Sequence, residues 1–378
     1  MKILIDRLAF RNALARVEMA IDRKPTNPVH GGVLVEAAND HVVLLTNDVD
    51  MAVRYQVDFV QVDQPGWAVI PGRELVDIVK DFEADTITLT LLDGGQVEVQ
   101  SGEDLCTLVT LESSAGDGPS HSESFPLVPA LDGEPAIVMD KGDFLVSVNS
   151  TRFATARMQD SRFATEGILM ELADGQVTMV GTDGRRLACI RRPVSGGDGD
   201  KARAVLLPKV LDQIYRFGQD EEGETISVWF LDNMVGFRMG NLESFGRVLN
   251  KEFPNYTNVI PEGGKHVVRA HRESFSKKLR LASHLTQESA AVVKIAFSEN
   301  NMEVASENEG RGRASANFEV DYAGDGLKTA FNPAYILEGL KAAHSDQIEL
   351  QIDDAVRPAK FVLGDDYSYV VMPLSALV

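Results

Sequence analysis

Two pairs of charged residues are the strongest candidates for catalytic chemistry in this sequence. Asp48 lies two positions before Asp50, and Asp183 lies two positions before Arg185, so either pair could supply a carboxylate for the general acid–base step of a hydrolysis. An enzyme also needs a nucleophile, a metal cluster or a cofactor loop within reach of that carboxylate. Asp48 and Asp183 are 135 residues apart in turns that resemble each other, and this recurrence favours a role in turn formation over catalysis.

The histidine, cysteine and glycine residues form no recognisable metal or nucleotide motif. The seven histidines make no HxxxH or HExxH pattern, and Cys106 and Cys189 are 83 residues apart. The segment from Gly196 to Lys201 contains glycines and a lysine but lacks the GxxxxGK[ST] spacing of a phosphate-binding loop. We therefore expect no catalytic residues, no cofactor and no bound metal.

The composition indicates a soluble protein with more than one domain. A chain of 378 residues is too long for one ordinary core, and two or three domains are expected. The two cysteines suit a reducing cytoplasm, and the first residues do not resemble a signal peptide. No apolar run approaches the roughly 18 residues that span a bilayer. We expect a cytoplasmic protein without membrane contact.

Three similar segments follow one another along the chain. Each begins with a short polar stretch that ends in a phenylalanine, and these residues are Phe10, Phe144 and Phe275, separated by 134 and 131 positions. An aliphatic residue follows each phenylalanine four positions later, the spacing that places two side chains on one face of a helix. Each segment is therefore predicted to open with an amphipathic helix.

A second helix and a set of short strands also recur. The second helix begins near Pro71, Pro208 and Pro333, and proline suits the first helical turn because its missing N–H has no intrahelical partner there. Alternating apolar runs broken by Gly, Asn and Asp are typical of antiparallel strands. The pattern predicts an α+β protein of three similar domains, each with two helices packed on antiparallel sheets. We place the first, middle and last segments at 1–130, 131–265 and 266–378.

Positive charge is concentrated in the predicted helices, although the chain has a formal net charge of −20. The predicted helices span 7–20, 72–82, 141–157, 208–218, 271–286 and 332–344. Together they contain 15 Lys and Arg against eight Asp and Glu, so they carry +7 and the rest of the chain carries −27. A surface built from these helices would attract a DNA backbone that the remainder repels. Lys and Arg also favour helices intrinsically, which leaves ordinary solvated helix faces as an alternative.

Several motifs resemble those of the bacterial DNA polymerase III beta subunit family, the sliding clamps. They are 165–171 and 181–188 (GTDGRRLA) for its middle domain, 252–256 (EFPNY) for the join that follows, 369–374 (YVVMPL) for its C-terminus, and 23–28 (RKPTNP) for a loop of its first domain. The similarity is colinear over essentially the whole chain. It implies the DNA clamp fold, in which two chains join head to tail as a homodimer, a ring of six similar domains around a central hole.

The same resemblance implies a non-catalytic subunit with several partners. Double-stranded DNA would be bound without sequence preference, which agrees with the lack of a recognisable base-reading element. A clamp loader would open the ring with ATP. The replicative DNA polymerase and other proteins would bind through short clamp-binding peptides.

Two kinds of binding site follow from the resemblance. Positions that touch DNA in the family are matched by Lys24, Arg73, Gln159 and Arg162, and Phe163 stands where relatives can carry aromatic residues that stack on bases. A groove between the second and third domains receives peptides with Leu and Phe anchors. The residues that match this groove are Thr165, Thr182, Gly184, Arg185, Leu187, Pro254, Val259, Val370, Met372, Pro373 and Leu374. Exposed polar residues and ordinary core residues are the alternative interpretations of the two sets.

The sequence departs from the family pattern at three positions. Arg185 stands where histidine is common, and Asn258 stands where an arginine often lines the groove. Arg280 lies where an apolar contact between subunits is expected, opposite the stretch 104–108 of the other subunit. These departures leave peptide preference and dimer strength open. A clamp-like paralogue or scaffold that binds replication or repair partners without loading on DNA is therefore an alternative function.

Overall fold

The computed structural model describes residues 1–38, 40–58, 60–115, 124–126, 128–157, 163–195, 201–286 and 291–374. Internal contacts group these residues into two units. The first unit contains Met1–Gly142 and Lys209–Val248, and the second contains Asp143–Val194 and the chain from Leu249 onward. Each unit includes part of the middle segment, and the domain boundaries near 130 and 265 stay a prediction.

Six α-helices in the described part of the chain begin where the repeated motifs place them. They are α1 (Arg7–Val17), α2 (Gly72–Asp81), α3 (Lys141–Thr151), α4 (Pro208–Phe217), α5 (Arg272–Ser283) and α6 (Pro333–Ala342). Their starts agree with the prediction within one residue, but all six end earlier than predicted. With the observed bounds the helices contain 13 Lys and Arg against seven Asp and Glu, so the helical charge is +6.

Local capping and burial explain why the helices begin at these motifs. The Asp6 carboxylate accepts a hydrogen bond from the N–H of Ala9 at 2.8 Å, and the Asn332 side chain accepts one from Ala334 at 3.0 Å, which confirms Asn332 as the predicted N-cap. The recurring phenylalanines Phe10, Phe144 and Phe275 are fully buried. They anchor the first helix of each segment in the core.

The strands also repeat from segment to segment. Those of the first segment are β1 (Lys2–Asp6), β2 (Gly32–Ala37), β3 (Val42–Asn47), β4 (Met51–Val57), β5 (Gln61–Gln64), β6 (Gly66–Pro71), β7 (Thr86–Leu92), β8 (Gln96–Ser101), β9 (Asp104–Val109) and β10 (Glu112–Ala115). Those of the middle segment are β11 (Ile137–Asp140), β12 (Ile168–Ala173), β13 (Gln176–Thr182), β14 (Arg186–Pro193), β15 (Ala202–Leu206), β16 (Thr225–Phe230), β17 (Met234–Met239) and β18 (Leu242–Arg247). Those of the last segment are β19 (His266–His271), β20 (Val293–Ser298), β21 (Asn301–Asn308), β22 (Gly312–Glu319), β23 (Leu327–Phe331), β24 (Gln347–Ile352), β25 (Ala359–Val362) and β26 (Tyr367–Val371).

The first unit contains two antiparallel sheets. One has the order β5-β1-β7-β8-β9, and the other has the order β10-β6-β2-β3-β4-β18-β17-β16-β11. In the second of these sheets β4 of the first segment pairs with β18 of the middle segment, with Val53 opposite Ser244. Helix α1 packs against β3, β4 and α2, and its Arg16 carbonyl accepts a 3.2 Å hydrogen bond from Gln213 Nε2 of α4.

The second unit repeats this plan. One sheet has the order β15-β12-β13-β14-β26-β25-β24-β19, and β14 of the middle segment pairs with β26 of the last segment, with Leu187 opposite Val370. The other sheet has the order β22-β21-β20-β23 and carries α5, which also packs on α6. Every pairing between described strands named here is antiparallel, so the predicted α+β class is confirmed.

Sheets of neighbouring segments join by one rule. In the first segment, β4 is the third strand after helix α1, and it pairs with β18, the third strand after helix α4 of the middle segment. In the same way β14, the third strand after α3, pairs with β26, the third strand after α6 of the last segment. The equivalent strand of the last segment is β22, and the equivalent of β18 and β26 in the first segment is β9. Both β22 and β9 lie at sheet edges, and β9 exposes Leu105 and Val109. Edge strands with exposed apolar residues are prone to pair with another strand.

The two recurring aspartates shape turns, as their spacing predicts. Asp48 Oδ1 accepts the N–H groups two and three residues ahead at 2.8 and 2.9 Å. Asp183 Oδ1 does the same at 2.9 and 3.0 Å. Asn308 occupies the corresponding turn of the last segment and accepts the N–H of Gly310 at 3.0 Å. All three turns are stabilised by a short polar side chain that accepts backbone hydrogen bonds within its own turn.

Candidate functional site

A largely apolar cavity of about 490 Å³ lies beside the β14–β26 strand pair in the second unit and is called the groove below. Its lining residues are Ala156, Phe163, Thr165, Thr182, Asp183, Gly184, Arg185, Arg186, Leu187, Pro254, Tyr256, Val259, Val370 and Met372. Nine of the eleven residues predicted for a peptide groove are among them. Residues that are far apart in the sequence therefore meet at one concave surface.

The floor of the groove is part of a hydrophobic core. Leu187 of β14 and Val370 of β26 face each other and are 3% and 1% exposed. Behind them lie Phe253 and Cys189 of the same core cluster. Burial raises the pKa of the Cys189 thiol to about 11, so the thiol stays protonated at neutral pH and behaves as an apolar group. A rigid, water-excluding floor results.

The rim of the groove exposes large apolar side chains. Met372, Val259 and Phe163 are 39%, 41% and 38% exposed. Neighbouring apolar residues that stay in contact with water around a concave surface are typical of a binding site. The rim and floor together form a surface suited to apolar side chains of a ligand.

A turn between β13 and β14 forms the polar wall. Thr182 Oγ1 donates to the carbonyl of Arg186 at 2.7 Å and accepts the N–H of Gly184 at 3.1 Å. Gly184 has φ = +82°, a left-handed conformation that side chains with a Cβ rarely adopt. Met372 N–H donates to the Arg185 carbonyl at 2.9 Å and so links this turn to the end of β26.

Arg186 holds the polar wall in place. Its Nε donates to Asp183 Oδ2 at 3.0 Å, a second nitrogen donates to the Phe153 carbonyl at 2.7 Å, and the guanidinium also pairs with Glu338. The guanidinium carbon lies 4.7 Å from the centre of the Tyr335 ring. With its side chain 9% exposed and fully engaged, Arg186 is a structural residue of the groove.

Tyr256 forms part of another wall. Its hydroxyl donates a 2.8 Å hydrogen bond to Glu171 Oε2. Burial and, secondarily, this hydrogen bond to the carboxylate raise the pKa of the Tyr256 phenol above its ordinary value, so the hydroxyl remains a donor at neutral pH. The bond fixes the orientation of the ring against the groove.

Sequence reasoning did not identify every lining residue. Ala156, Asp183, Arg186 and Tyr256 were missing from the predicted groove, although Tyr256 lies within the EFPNY motif. Phe163 also lines the groove, and its role in base stacking stays a prediction.

Two predicted groove residues and one departure position do not line the cavity. Pro373 is buried, and Leu374 is half-buried with its N–H bonded to the Ala330 carbonyl at 2.7 Å. Asn258 is exposed and also lies outside the lining. Pro373 and Leu374 anchor the chain that carries Met372, and direct contact with a peptide stays a prediction for them.

The predicted DNA-contacting residues fall into two groups. Lys24 and Arg73 are both exposed in the first unit. Gln159 and Arg162 lie outside the described residues. Arg73 lines a polar cleft of about 400 Å³ whose other lining residues are Glu18, Ile21, Arg23, Glu74, Val76 and Asp77. Arg23, which precedes Lys24 in the RKPTNP motif, therefore adds a cation that the prediction did not include.

Neither a membrane-spanning helix nor a cluster of metal ligands occurs in the described ranges. None of the helices there combines the length and apolarity that crossing a bilayer requires. Within the same ranges, His, Cys, Asp and Glu form no group of three or more that could hold a metal ion.

Comparison with known proteins gives consistent matches along the chain. The DNA polymerase III beta subunit families match in order: the N-terminal domain at residues 1–117, the central domain at 139–255 and the C-terminal domain at 257–375. The beta sliding clamp of Chlamydia muridarum is 26% identical over 375 residues, which cover 99% of this chain and 99% of that protein.

Solved structures show the same fold. The DNA polymerase sliding clamp from Bacillus subtilis superimposes with a TM-score of 0.92 at 21% identity, covering 99% of both chains. A Pseudomonas aeruginosa sliding clamp bound to griselimycin superimposes with a TM-score of 0.88 at 24% identity, again over 99% of both chains.

Proposed function

This chain belongs to the DNA polymerase III beta subunit family, and we propose on that basis that it works as a DNA sliding clamp. Two copies form a ring that encircles duplex DNA and holds the replicative polymerase on it. The protein performs no reaction itself, and it confers processivity because a closed ring cannot dissociate sideways from the duplex. It acts in the bacterial cytoplasm, where the chromosome is replicated.

The pairing of strands between neighbouring segments is the observation that best supports a ring. Within the chain, β4 pairs with β18 and β14 pairs with β26. The equivalent third pairing is between β22 and β9, both of which are edge strands, and it is supplied by a second copy in a head-to-tail homodimer. The exposed Leu105 and Val109 of β9 and the exposed Leu281 of α5 provide apolar surface for that contact.

The charge distribution supports DNA inside such a ring. The six helices carry +6 while the chain as a whole carries −20. If the helices line the hole, they face a duplex with about one phosphate per 1.7 Å of its axis, and the acidic remainder repels DNA elsewhere. A small positive charge attracts the backbone without reading sequence, which allows the ring to slide.

Lys24 and Arg73 are proposed as DNA contacts, with Arg23 beside them. Their exposure and the shared polar cleft of Arg23 and Arg73 support a phosphate-binding role. The neighbouring Glu18, Glu74 and Asp77 limit the positive charge there. Gln159 and Arg162 are proposed as further DNA contacts from the family resemblance alone.

The groove is proposed to bind short peptides of the polymerase, of the clamp loader and of other replication or repair proteins. Its buried floor of Leu187 and Val370 and its exposed rim of Met372 and Val259 suit apolar anchor side chains. The flexible thioether of Met372 can adapt to different partners. Clamps of Pseudomonas aeruginosa and Bartonella birtlesii bind griselimycin, which makes this compound a useful competitor.

A direct test combines solution mass with topological retention on DNA. The protein is mixed with a clamp loader, ATP and nicked circular DNA, and the retained fraction is measured by gel filtration before and after the circle is cut. A dimer that is retained on circles, released on cutting and able to lengthen polymerase products is expected. A strictly monomeric protein at micromolar concentration that is never retained contradicts the ring. Peptide binding without loader-dependent processivity favours the scaffold alternative.

A further inference from the structure

Arg185 carries a charge at the groove that its surroundings do not neutralise. The one acidic residue among the described lining residues, Asp183, is engaged by Arg186 at 3.0 Å, and Arg186 is also paired with Glu338. Across the described ranges, the Arg185 side chain forms no hydrogen bond or ion pair with another residue, although it lines the groove and is exposed. Within the described part of the chain, a guanidinium without an acidic partner therefore lies beside a largely apolar cavity.

The backbone of Arg185 is held firmly. Its N–H donates to Asp183 Oδ1 at 2.9 Å, and its carbonyl accepts the N–H of Met372 at 2.9 Å. The preceding Gly184 has φ = +82°, which sets the direction of the turn. Because the backbone is fixed on both sides, the side chain starts from one position on the rim. A fixed origin reduces the conformational entropy lost when the guanidinium engages a ligand.

We propose that Arg185 makes the groove select peptides that carry Asp or Glu beside their apolar anchors, an inference that rests on the proposed peptide-binding function. A guanidinium offers a planar pair of donors that matches a carboxylate. The apolar anchors of the peptide cover Leu187 and Val370, and the acidic residue engages Arg185 at the rim. Peptide binding would also exclude water from part of this pair and strengthen it.

The surroundings of Arg185 favour an acidic peptide over a nucleic acid. Among the lining residues the cations are Arg185 and Arg186, and Arg186 is fully engaged by protein groups. A polyanion needs several free cations for stable binding, because its affinity comes from neutralising successive phosphates. A single free guanidinium next to an apolar surface instead fits one carboxylate on a chain with apolar anchors.

The test uses peptides with fixed Leu and Phe anchors in which one Asp or one Asn is placed at each remaining position in turn. Dissociation constants are measured by calorimetry for the full-length wild type, Arg185→Gln and Arg185→Lys. At one or two positions the wild type is expected to bind the Asp peptide about three- to fivefold more tightly than the Asn peptide, the range of an exposed ion pair. The ratio falls to about one in Arg185→Gln and is partly retained in Arg185→Lys, and it decreases with added salt.

Two controls separate the outcomes. Arg357→Gln removes another exposed arginine of the second unit, whose charge is paired with Asp353 and Asp354, and it should keep the wild-type ratio. Arg185→Glu should reverse the preference in favour of Lys peptides. An Asp-to-Asn ratio that is one in the wild type, or unchanged in Arg185→Gln, overturns the proposal while leaving the groove assignment intact. Failure of the wild type to bind any peptide contradicts the groove assignment, and the proposal with it.

Discussion

The N–H of Met372 donates a 2.9 Å hydrogen bond to the carbonyl oxygen of Arg185. The bond joins the chain after β26 to the turn before β14, and it fixes Met372 at the rim of the groove. The thioether therefore has a defined origin but a flexible end. This combination gives a binding surface a constant location and an adaptable shape.

Truncating Met372 tests whether this rim contacts peptides. Met372→Ala is expected to weaken binding of a peptide with Leu and Phe anchors about five- to thirtyfold. The reason is that truncation removes apolar surface that the bound peptide would cover. Val356→Ala serves as the control, because Val356 is an exposed apolar residue of the second unit, 58% exposed, that does not line the groove. It should change affinity by less than about twofold. Calorimetry measures both dissociation constants, and equal affinities of Met372→Ala and Val356→Ala would contradict peptide contact at the rim.

The Arg186 network is expected to stabilise the second unit. Arg186→Met leaves Asp183 without its ion pair at a position where the Asp183 side chain is only 16% exposed. We expect the free energy of unfolding to fall by about 2–4 kcal/mol, with little of the loss from Glu338, which is 44% exposed. Hydrogen exchange of β14 and β26 in denaturant measures the loss.

Arg203→Met is the control for that loss. Arg203 is 51% exposed and lies 3.9 Å from Glu171, so its removal should cost less than about 0.5 kcal/mol. If both variants have the same free energy of unfolding, the partly buried ion pair of Arg186 with Asp183 adds no net stability.

The sequence predicts where helices begin much better than where they end. Starts are marked by local chemistry, such as the Asn332 cap and the prolines that open α4 and α6. Several ends carry no such mark: the C-cap residues of α1, α2 and α6 are Glu18, Phe82 and Ala343, and none is a glycine, whereas Gly218 follows α4 directly. Amphipathic spacing continues past these residues, so the predicted helices are too long.

Strand pairing depends on residues that are distant in the sequence, and so does the presence or absence of an ion-pair partner for a given charged side chain. Repetition predicts that each segment contains several strands, but the pairing of β4 with β18 joins segments that no local pattern connects. In the same way, the adjacent Arg185 and Arg186 look alike in the sequence. Only the fold shows that Arg186 begins β14 and points to Asp183 and Glu338, while the Arg185 guanidinium in the turn has no partner among the described residues. The groove residues came from the family resemblance, because their positions from 165 to 372 share no spacing rule.

Loss of cations near the Arg73 cleft should weaken DNA contact. Lys24→Ala combined with Arg73→Ala is expected to lower the affinity for primed duplex DNA and to reduce the slope of log affinity against log salt by about one for each lost phosphate contact. Arg357→Ala is the control, because this 67% exposed arginine lies outside the six helices and the Arg73 cleft. Fluorescence anisotropy at several salt concentrations measures both quantities. An unchanged slope in the double variant contradicts a phosphate-binding role.

The free edge of β9 should decide whether the ring closes. Thr110 N–H donates to the Gly95 carbonyl at 2.9 Å, and alternation along an antiparallel strand then directs the N–H groups of Thr107 and Val109 away from β8. Val109 is 66% exposed at this edge. Val109→Asp introduces a charge that a strand of the partner would bury, so we expect the dimer dissociation constant to rise by at least about thirtyfold.

Val356→Asp is the matched control, because Val356 is similarly exposed, at 58%. Val356 lies in a turn, where its N–H donates to Asp354 Oδ1 at 2.8 Å. Sedimentation velocity over a concentration series gives the dissociation constant of each variant. Both substitutions replace an exposed valine by aspartate. A difference between their dimer dissociation constants is therefore due to the position of the substitution and not to the added charge. Equal dimerisation of Val109→Asp and Val356→Asp would mean that β9 is not the strand that meets β22 of the second copy, and the head-to-tail arrangement would have to use another edge.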